Sequence, residues 1–104
     1  PEIDLIEGVA KRSTYTIVKT TYTACNTEIM KLLHDNQIEE AYIAGIDTDC
    51  CVLKTAIDLF ELGIRPIVLT KYCASNGGES SHLAAIKVLE RTIGRDQIKS
   101  DEYV

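Results

Sequence analysis

Residues 43–52 read IAGIDTDCCV, and this stretch decides how the rest of the chain is interpreted. An apolar run reaches Gly45, a polar turn follows, and the adjacent residues Cys50 and Cys51 precede a second apolar run. The pattern predicts a buried strand, a tight turn and a helix with a thiol in its first turn. Backbone N–H groups and the helix dipole favour an anion there, so we predict that one of the two cysteines is a catalytic nucleophile.

The flanking sequence predicts an α/β fold with a parallel sheet, because strand-like segments alternate with amphipathic segments of helical length. Strands are predicted at residues 14–20, 39–46, 65–70 and 97–99. Helices are predicted at residues 27–36, 49–62 and 79–93, with Thr27 as the first N-cap and Gly63 and Gly94 after the later helices. Residues 2–12 fit a short helical face, weakened by Gly8, and Asp4 is placed in no strand.

The predicted topology brings several polar residues to one edge of the sheet, where ligands bind in open parallel sheets. Lys19 ends the first predicted strand, residues 46–51 follow the second, and residues 71–75 follow the third. Since consecutive strands are usually neighbours, we expect Lys19 and the cysteine pair to face each other. An ammonium group there would favour a thiolate, and turn amides would stabilise an oxyanion. Considered alone, Lys19 also fits a solvated strand end, and Cys51 a buried structural thiol.

Composition limits the class of protein and its partners. The 104 residues are 45% hydrophobic and 26% charged, which is typical of a soluble globular domain or part of one. The net charge of −5 and the lack of a basic run argue against nucleic acid or an anionic membrane as partner. No apolar run approaches the ~18 residues of a membrane span. Four cysteines in no disulfide-like spacing indicate reduced thiols and a cytoplasmic protein.

The sequence resembles the isochorismatase-like cysteine hydrolases over residues 14–98. Residues 45–56, GIDTDCCVLKTA, are similar to the family signature G-[VI]-x-T-D-x-C-V-x-x-T-A. Residues 18–25, VKTTYTAC, are similar to V-K-x-x-x-S-A-F, and residues 66–75 with His82 and Ala85 are similar to the next strand, loop and helix. The resemblance implies a Rossmann-like three-layer α/β/α fold. Residues 1–104 would be a single partial domain that holds the C-terminal strands and helices.

The resemblance also implies roles for individual residues. Cys51, directly before Val52, takes the position of the nucleophile, and Cys50 takes a variable position. Lys19 takes the position of the catalytic lysine, which polarises the site. The peptide bond between Ile46 and Asp47 is implied to be cis, and the backbone N–H groups of Asp47 and Cys51 are implied to form the oxyanion hole.

The implied function is hydrolysis of a carbon–nitrogen bond in a small-molecule amide or ureido compound through a thioester on Cys51. No cofactor is expected, and a divalent metal site, where family members have one, is implied upstream of Pro1. The catalytic aspartate of the family is likewise implied upstream of Pro1, in a strand that these residues lack. A homo-oligomer is expected.

Several alternatives remain open at this stage. The chain could be a truncated or degenerate, non-catalytic member that serves as a structural or oligomerisation domain. A zinc site of Cys25, Cys51 and Cys73, with or without Cys50, has less support, since no C-x-x-C pair is present. His34 and His82 are interpreted as surface or capping residues, and residues 77–78, GG, as a simple turn.

Overall fold

The computed structural model describes Asp4–Ile6 and residues 22–100 of the chain. Within these residues the elements, in chain order, are β1 (Asp4–Ile6), α1 (Thr27–Asp35), β2 (Glu40–Ile46), a π-helical turn (Thr48–Val52), α2 (Leu53–Glu61), β3 (Arg65–Ala74), α3 (Glu79–Thr92), a 3-10 turn (Arg95–Gln97) and β4 (Ile98–Lys99). None of the helices in this part of the chain has the length and apolar character that a bilayer crossing requires. The strand predicted at 14–20 lies outside the described residues.

The strands form one parallel sheet in the order β1-β2-β3-β4. The predicted parallel α/β architecture is therefore confirmed. The central strands β2 and β3 are apolar, and Ala41, Ile43 and Val68 are at most 2% exposed. Strands of this kind are buried on both faces, which explains their nearly continuous apolar sequence.

All three described α-helices pack on the same face of the sheet. Ile29 of α1, Leu59 of α2 and Leu89 of α3 belong to one buried cluster with Ile43 and Val68. A smaller cluster on the other face consists of sheet residues: Ala44, Ile67 and Leu69. The larger cluster fixes α2, and hence the turn before it, against the sheet.

The helical prediction for residues 2–12 is wrong at Asp4–Ile6, and its other residues lie outside the described part. Asp4–Ile6 is not helical but forms β1, which pairs in parallel with Tyr42–Ala44 of β2. Asp4, predicted to lie outside any strand, stands in register with Tyr42. Tyr42 precedes Asp47 by five residues. At ~3.3 Å per residue, Asp4 therefore lies roughly 16 Å from Asp47 along the strand direction. Asp4 therefore belongs to a strand but not to its carboxyl edge.

The N-cap of helix α1 lies one residue earlier than predicted. Asn26, not Thr27, is the N-cap: its backbone is extended, and its side-chain oxygen accepts a hydrogen bond of 2.9 Å from the Ile29 N–H. Both residue types cap helices well, so composition alone does not separate two adjacent candidates.

Strand β3 is longer than predicted and continues to Ala74. The register between β2 and β3 shifts between Ile43 and Gly45, so Gly45 pairs with Cys73. Gly45 has φ +140°, a conformation that side-chain-bearing residues rarely adopt. The irregularity lets β3 continue through residues 71–74, which the sequence interpretation placed after the strand.

Candidate active site

The chain leaves β2 at Ile46 and enters a π-helical turn. The Ile46–Asp47 peptide bond is cis. The Asp47 carbonyl oxygen accepts hydrogen bonds from the N–H groups of Cys50 (3.2 Å) and Val52 (3.1 Å). The second bond spans five residues, which defines the π geometry, and α2 begins directly afterwards. Such turns are frequent at functional sites. Cys51 lies in this turn, directly before α2, and is half-buried.

The loop after β3 holds this turn by two hydrogen bonds. The Ser75 hydroxyl donates to Asp49 Oδ1 at 2.6 Å, and the Asn76 N–H donates to Asp47 Oδ1 at 2.7 Å. The segments that follow the neighbouring strands β2 and β3 therefore meet at the carboxyl edge of the sheet, as the topology predicts. The two carboxylates face backbone and hydroxyl donors of this loop.

A third hydrogen bond links the turn to α3. Thr48, the first residue of the turn, is completely buried, and its Oγ1 lies 2.7 Å from Nδ1 of His82. His82 lies in the first helical turn of α3, and its own N–H donates to the Gly78 carbonyl oxygen at 3.1 Å. His82 was interpreted as a surface or capping residue; the structure shows a partly buried residue whose ring is hydrogen-bonded to the turn.

The segment that follows Lys19 in sequence packs on α2. The Ala24 N–H donates to Thr55 Oγ1 at 2.8 Å, and the Cys25 thiol lies 4.0 Å from the Thr55 carbonyl oxygen. Thr55 is 3% exposed and follows Cys51 by one helical turn. Ala24 and Cys25 are thus held on α2, one helical turn after the nucleophile candidate. Lys19 itself lies outside the described residues, and its predicted position opposite the cysteines stays a prediction.

Comparisons with known proteins identify the family. The family model described as an isochorismatase domain matches residues 1–101. The chain belongs to the isochorismatase family. An isochorismatase family protein of Bacillus subtilis is 36% identical over 81 residues, which are 77% of this chain and 44% of that protein. A Dictyostelium discoideum family member is 31% identical over 64% of this chain and 33% of its own length. The chain thus spans less than half the length of these curated relatives.

Solved structures of the family show the same fold. The nicotinamidase of Staphylococcus aureus has a TM-score of 0.72 and 29% identity, covering 81% of this chain and 52% of that one. The nicotinamidase/pyrazinamidase of Bacillus subtilis has a TM-score of 0.71 and 31% identity, covering 79% of this chain and 44% of that one. The predicted isochorismatase-like α/β fold is confirmed by these similarities.

The thiols around this isochorismatase-family site differ in their surroundings. Burial raises the pKa of Cys73 and the pKa of Cys25 above the ordinary value of 9.0. The pKa of Cys50 is also raised, first by partial burial and then by the negative charges of Asp49 and Asp47. Each of these three side chains is therefore held as the neutral thiol, which is a poor nucleophile. Cys51, in the same turn as Cys50, is the cysteine that the family signature selects.

The described residues do not bring together the zinc ligands considered from the sequence. Within them, the group with metal-ligand spacing consists of Asp47, Asp49 and Cys50, whose ligand atoms lie within 4.8 Å of one another. It contains neither Cys25 nor Cys73. The Asp47 and Asp49 oxygens already accept hydrogen bonds from Asn76 and Ser75. The contact between the turn and the loop after β3 therefore explains why these two carboxylates lie close together.

Sequence reasoning missed the contacts that hold the turn. Ser75 was placed at the sheet edge without a partner, and His82 was interpreted as a surface or capping residue. A topological signal for both was nevertheless available. The loop after the third strand and the first turn of the next helix must lie at the same sheet edge as residues 47–52. Polar residues in those two places are therefore expected to contact the turn.

Proposed function

We propose that this chain carries the nucleophile of a cysteine amidohydrolase that cleaves a carbon–nitrogen bond in a small-molecule amide or ureido compound. The observation that carries the proposal is the placement of Cys51. The family resemblance assigns it the nucleophile position, and it lies in a turn at the carboxyl edge of a parallel sheet, directly before α2. The solved relatives described as nicotinamidases supply the substrate class, since nicotinamide is a primary amide.

The proposed reaction proceeds through a thioester. A carboxylate, which the family resemblance assigns to a strand upstream of Pro1, takes the proton from Cys51. The Cys51 sulfur then attacks the carbonyl carbon, and the C–N bond breaks as ammonia or an amine leaves with a proton. Water attacks the thioester, releases the acid and returns the proton to the thiol.

The turn supplies the electrostatic part of this reaction. The Cys50 and Val52 amides are committed to the Asp47 carbonyl oxygen. In the proposal, the amides of Asp47 and Cys51 donate to the oxyanion that forms on the attacked carbonyl, and Lys19 supports the negative charge. Fixed donors are effective here because they need no reorganisation during the reaction.

The proposal is tested by ammonia release from a panel of primary amides and ureido compounds. A protein that carries this chain together with the carboxylate strand of the family should release ammonia from at least one of them, and Cys51→Ala should abolish the release. Cys50→Ala is the matched control in the same turn and should retain most of the activity. Activity that survives Cys51→Ala would contradict the assignment of the nucleophile. Release from no compound in the panel would favour a structural role for the chain.

A further inference from the structure

We propose that His82 is a positioning residue: through Thr48 it fixes the turn that presents Cys51. This inference rests on the function proposed above and adds a residue to it. His82 lies on α3, 31 residues after Cys51 in sequence, and acts on Cys51 only through the Thr48 hydroxyl.

The burial of Thr48 is the first step of the argument. Its side chain is 0% exposed, so its hydroxyl cannot exchange its partner for bulk water. A buried hydroxyl without a partner is costly, and the side-chain atom in place to satisfy it is His82 Nδ1 at 2.7 Å. The hydroxyl can donate to the neutral ring or accept from an Nδ1–H, so the contact survives either protonation state of His82.

The geometry of the turn is the second step. The π-helical turn is closed by wide hydrogen-bonded rings, here from the Val52 N–H to the Asp47 carbonyl oxygen and from the Leu53 N–H to the Thr48 carbonyl oxygen, and such turns are rare. The residues of the turn depend on external contacts for a fixed position. Thr48 begins the turn and Cys51 lies three residues later, so a displacement of Thr48 shifts the thiol directly.

The origin of the external contacts is the third step. Ser75, Asn76 and His82 all belong to one continuous segment, the loop after β3 and the first turn of α3. Ser75 and Asn76 hold the two carboxylates, which are partly exposed. His82 reaches the buried side of the turn. The His82 contact therefore adds a hydrogen bond on the buried side of the turn, next to the packing of Val52 in the core.

The test is a double-mutant cycle on the alkylation rate of Cys51 by iodoacetamide, followed by peptide mapping. His82→Leu and Thr48→Val each remove one partner of the bond. Each should lower the Cys51 rate roughly three- to tenfold, the equivalent of one hydrogen bond, and the double variant should lower it no further. His82→Asn, which keeps a polar atom the same number of bonds from Cα as Nδ1, should restore the rate to within about twofold of the original.

A purely structural role for His82 gives a different result. General loosening would raise the labelling of the partly buried thiols of Cys25 and Cys73, whereas a positioning role changes rates only within the turn that holds Cys51. His34→Leu is the matched control, since the His34 side chain is 90% exposed, and it should leave all rates unchanged. If His82→Leu fails to fold, as judged by circular dichroism, then Thr48→Val and His82→Asn decide the question by the same measurement.

Independent, multiplicative effects of Thr48→Val and His82→Leu would overturn the positioning role, as would equal rates for His82→Leu and His82→Asn. These outcomes leave the proposed function intact so long as Cys51 of the unaltered chain reacts fastest. Slow and equal labelling of every thiol in the unaltered chain would instead overturn the proposed function itself. The two failures are therefore distinguishable in one experiment.

Discussion

Cys50 and Cys51 are adjacent in one turn, yet their surroundings predict different chemistry. The pKa of Cys50 is raised by partial burial and by the carboxylates of Asp49 and Asp47, which disfavour a second negative charge. The Asp49 carboxylate also accepts the Ser75 hydroxyl at 2.6 Å, so it is held close to the thiol by a defined contact. The acidic side of the turn therefore suppresses Cys50 as a nucleophile.

Asp49→Asn tests this electrostatic effect directly. Asparagine keeps an oxygen that accepts the Ser75 hydroxyl but removes the negative charge. We expect the pKa of Cys50 to fall toward 9.0, so that its alkylation rises at a lower pH than in the original chain. Partial burial remains, so the pKa stays above that value. Asp35→Asn, remote and on the exposed end of α1, is the control; an unchanged Cys50 profile in Asp49→Asn would contradict the account.

At the residue level, the sequence was sufficient for the nucleophile candidate but not for its supports. The signature around Cys51 is local, so residues 45–56 contain the information needed to select it. The bond between Thr48 and His82 joins residues 34 positions apart and depends on how α3 crosses the sheet edge. Such contacts follow from tertiary packing, and a lone histidine in a helix carries no local signal that distinguishes it from a surface residue.

At the scale of elements, the structure and the sequence-based prediction differ at the N-cap of α1. Asn26→Ala removes the side-chain oxygen that accepts from Ile29, and we expect a loss of about 1 kcal/mol in the free energy of unfolding. Thr27→Ala, the cap expected from sequence, should cost much less. Urea denaturation of both variants measures the difference. A larger loss in Thr27→Ala than in Asn26→Ala would contradict the observed cap.

Elements with strong local patterns were predicted closely, and those defined by pairing were not. Helix α3 was expected at 79–93 and spans Glu79–Thr92, because its apolar spacing and the glycine after it are local signals. Strand β1 has only three residues, and its assignment depends on pairing with Tyr42–Ala44. The extension of β3 likewise depends on the register shift opposite Gly45. Pairing partners distant in sequence are not visible in a local pattern.

At the scale of the whole molecule, the buried thiols make stability depend on alkaline pH. Burial raises the pKa of Cys73 in the folded state above the 9.0 of the unfolded chain. Its stabilising contribution is fully present below pH 9.0 and is lost as pH rises through the folded-state pKa, because the unfolded chain releases the proton first. We expect the free energy of unfolding to fall with pH above 9.0, and to fall less steeply in Cys73→Ala.

The comparison of slopes isolates the thiol from other groups. Tyrosines and lysines titrate in the same range in both chains, and the cavity left by Cys73→Ala shifts stability equally at every pH. Cys25→Ala is a second variant with the same expected direction, since burial also raises the pKa of Cys25. Denaturant titrations at a series of pH values measure the slopes. Parallel pH profiles for the original chain and Cys73→Ala would contradict the assignment.

The overall architecture was predictable because alternating strands and helices leave few arrangements. A parallel sheet with helical crossovers follows from the spacing of apolar segments, and the carboxyl edge of that sheet defines where the site must lie. The family match over residues 1–101 agrees with this architecture. The position of Lys19 relative to Cys51 depends on residues beyond the described part, so the catalytic pair remains a prediction.

The central claim, that Cys51 is the nucleophile, is tested most directly by competitive alkylation of the full chain. A limiting amount of iodoacetamide at neutral pH, followed by peptide mapping, measures the relative rates of the four free cysteines. We predict that Cys51 is labelled first, because it takes the nucleophile position of the family signature, whereas burial and, for Cys50, adjacent carboxylates raise the pKa values of Cys25, Cys50 and Cys73. Equal and slow labelling of all four thiols would contradict the account.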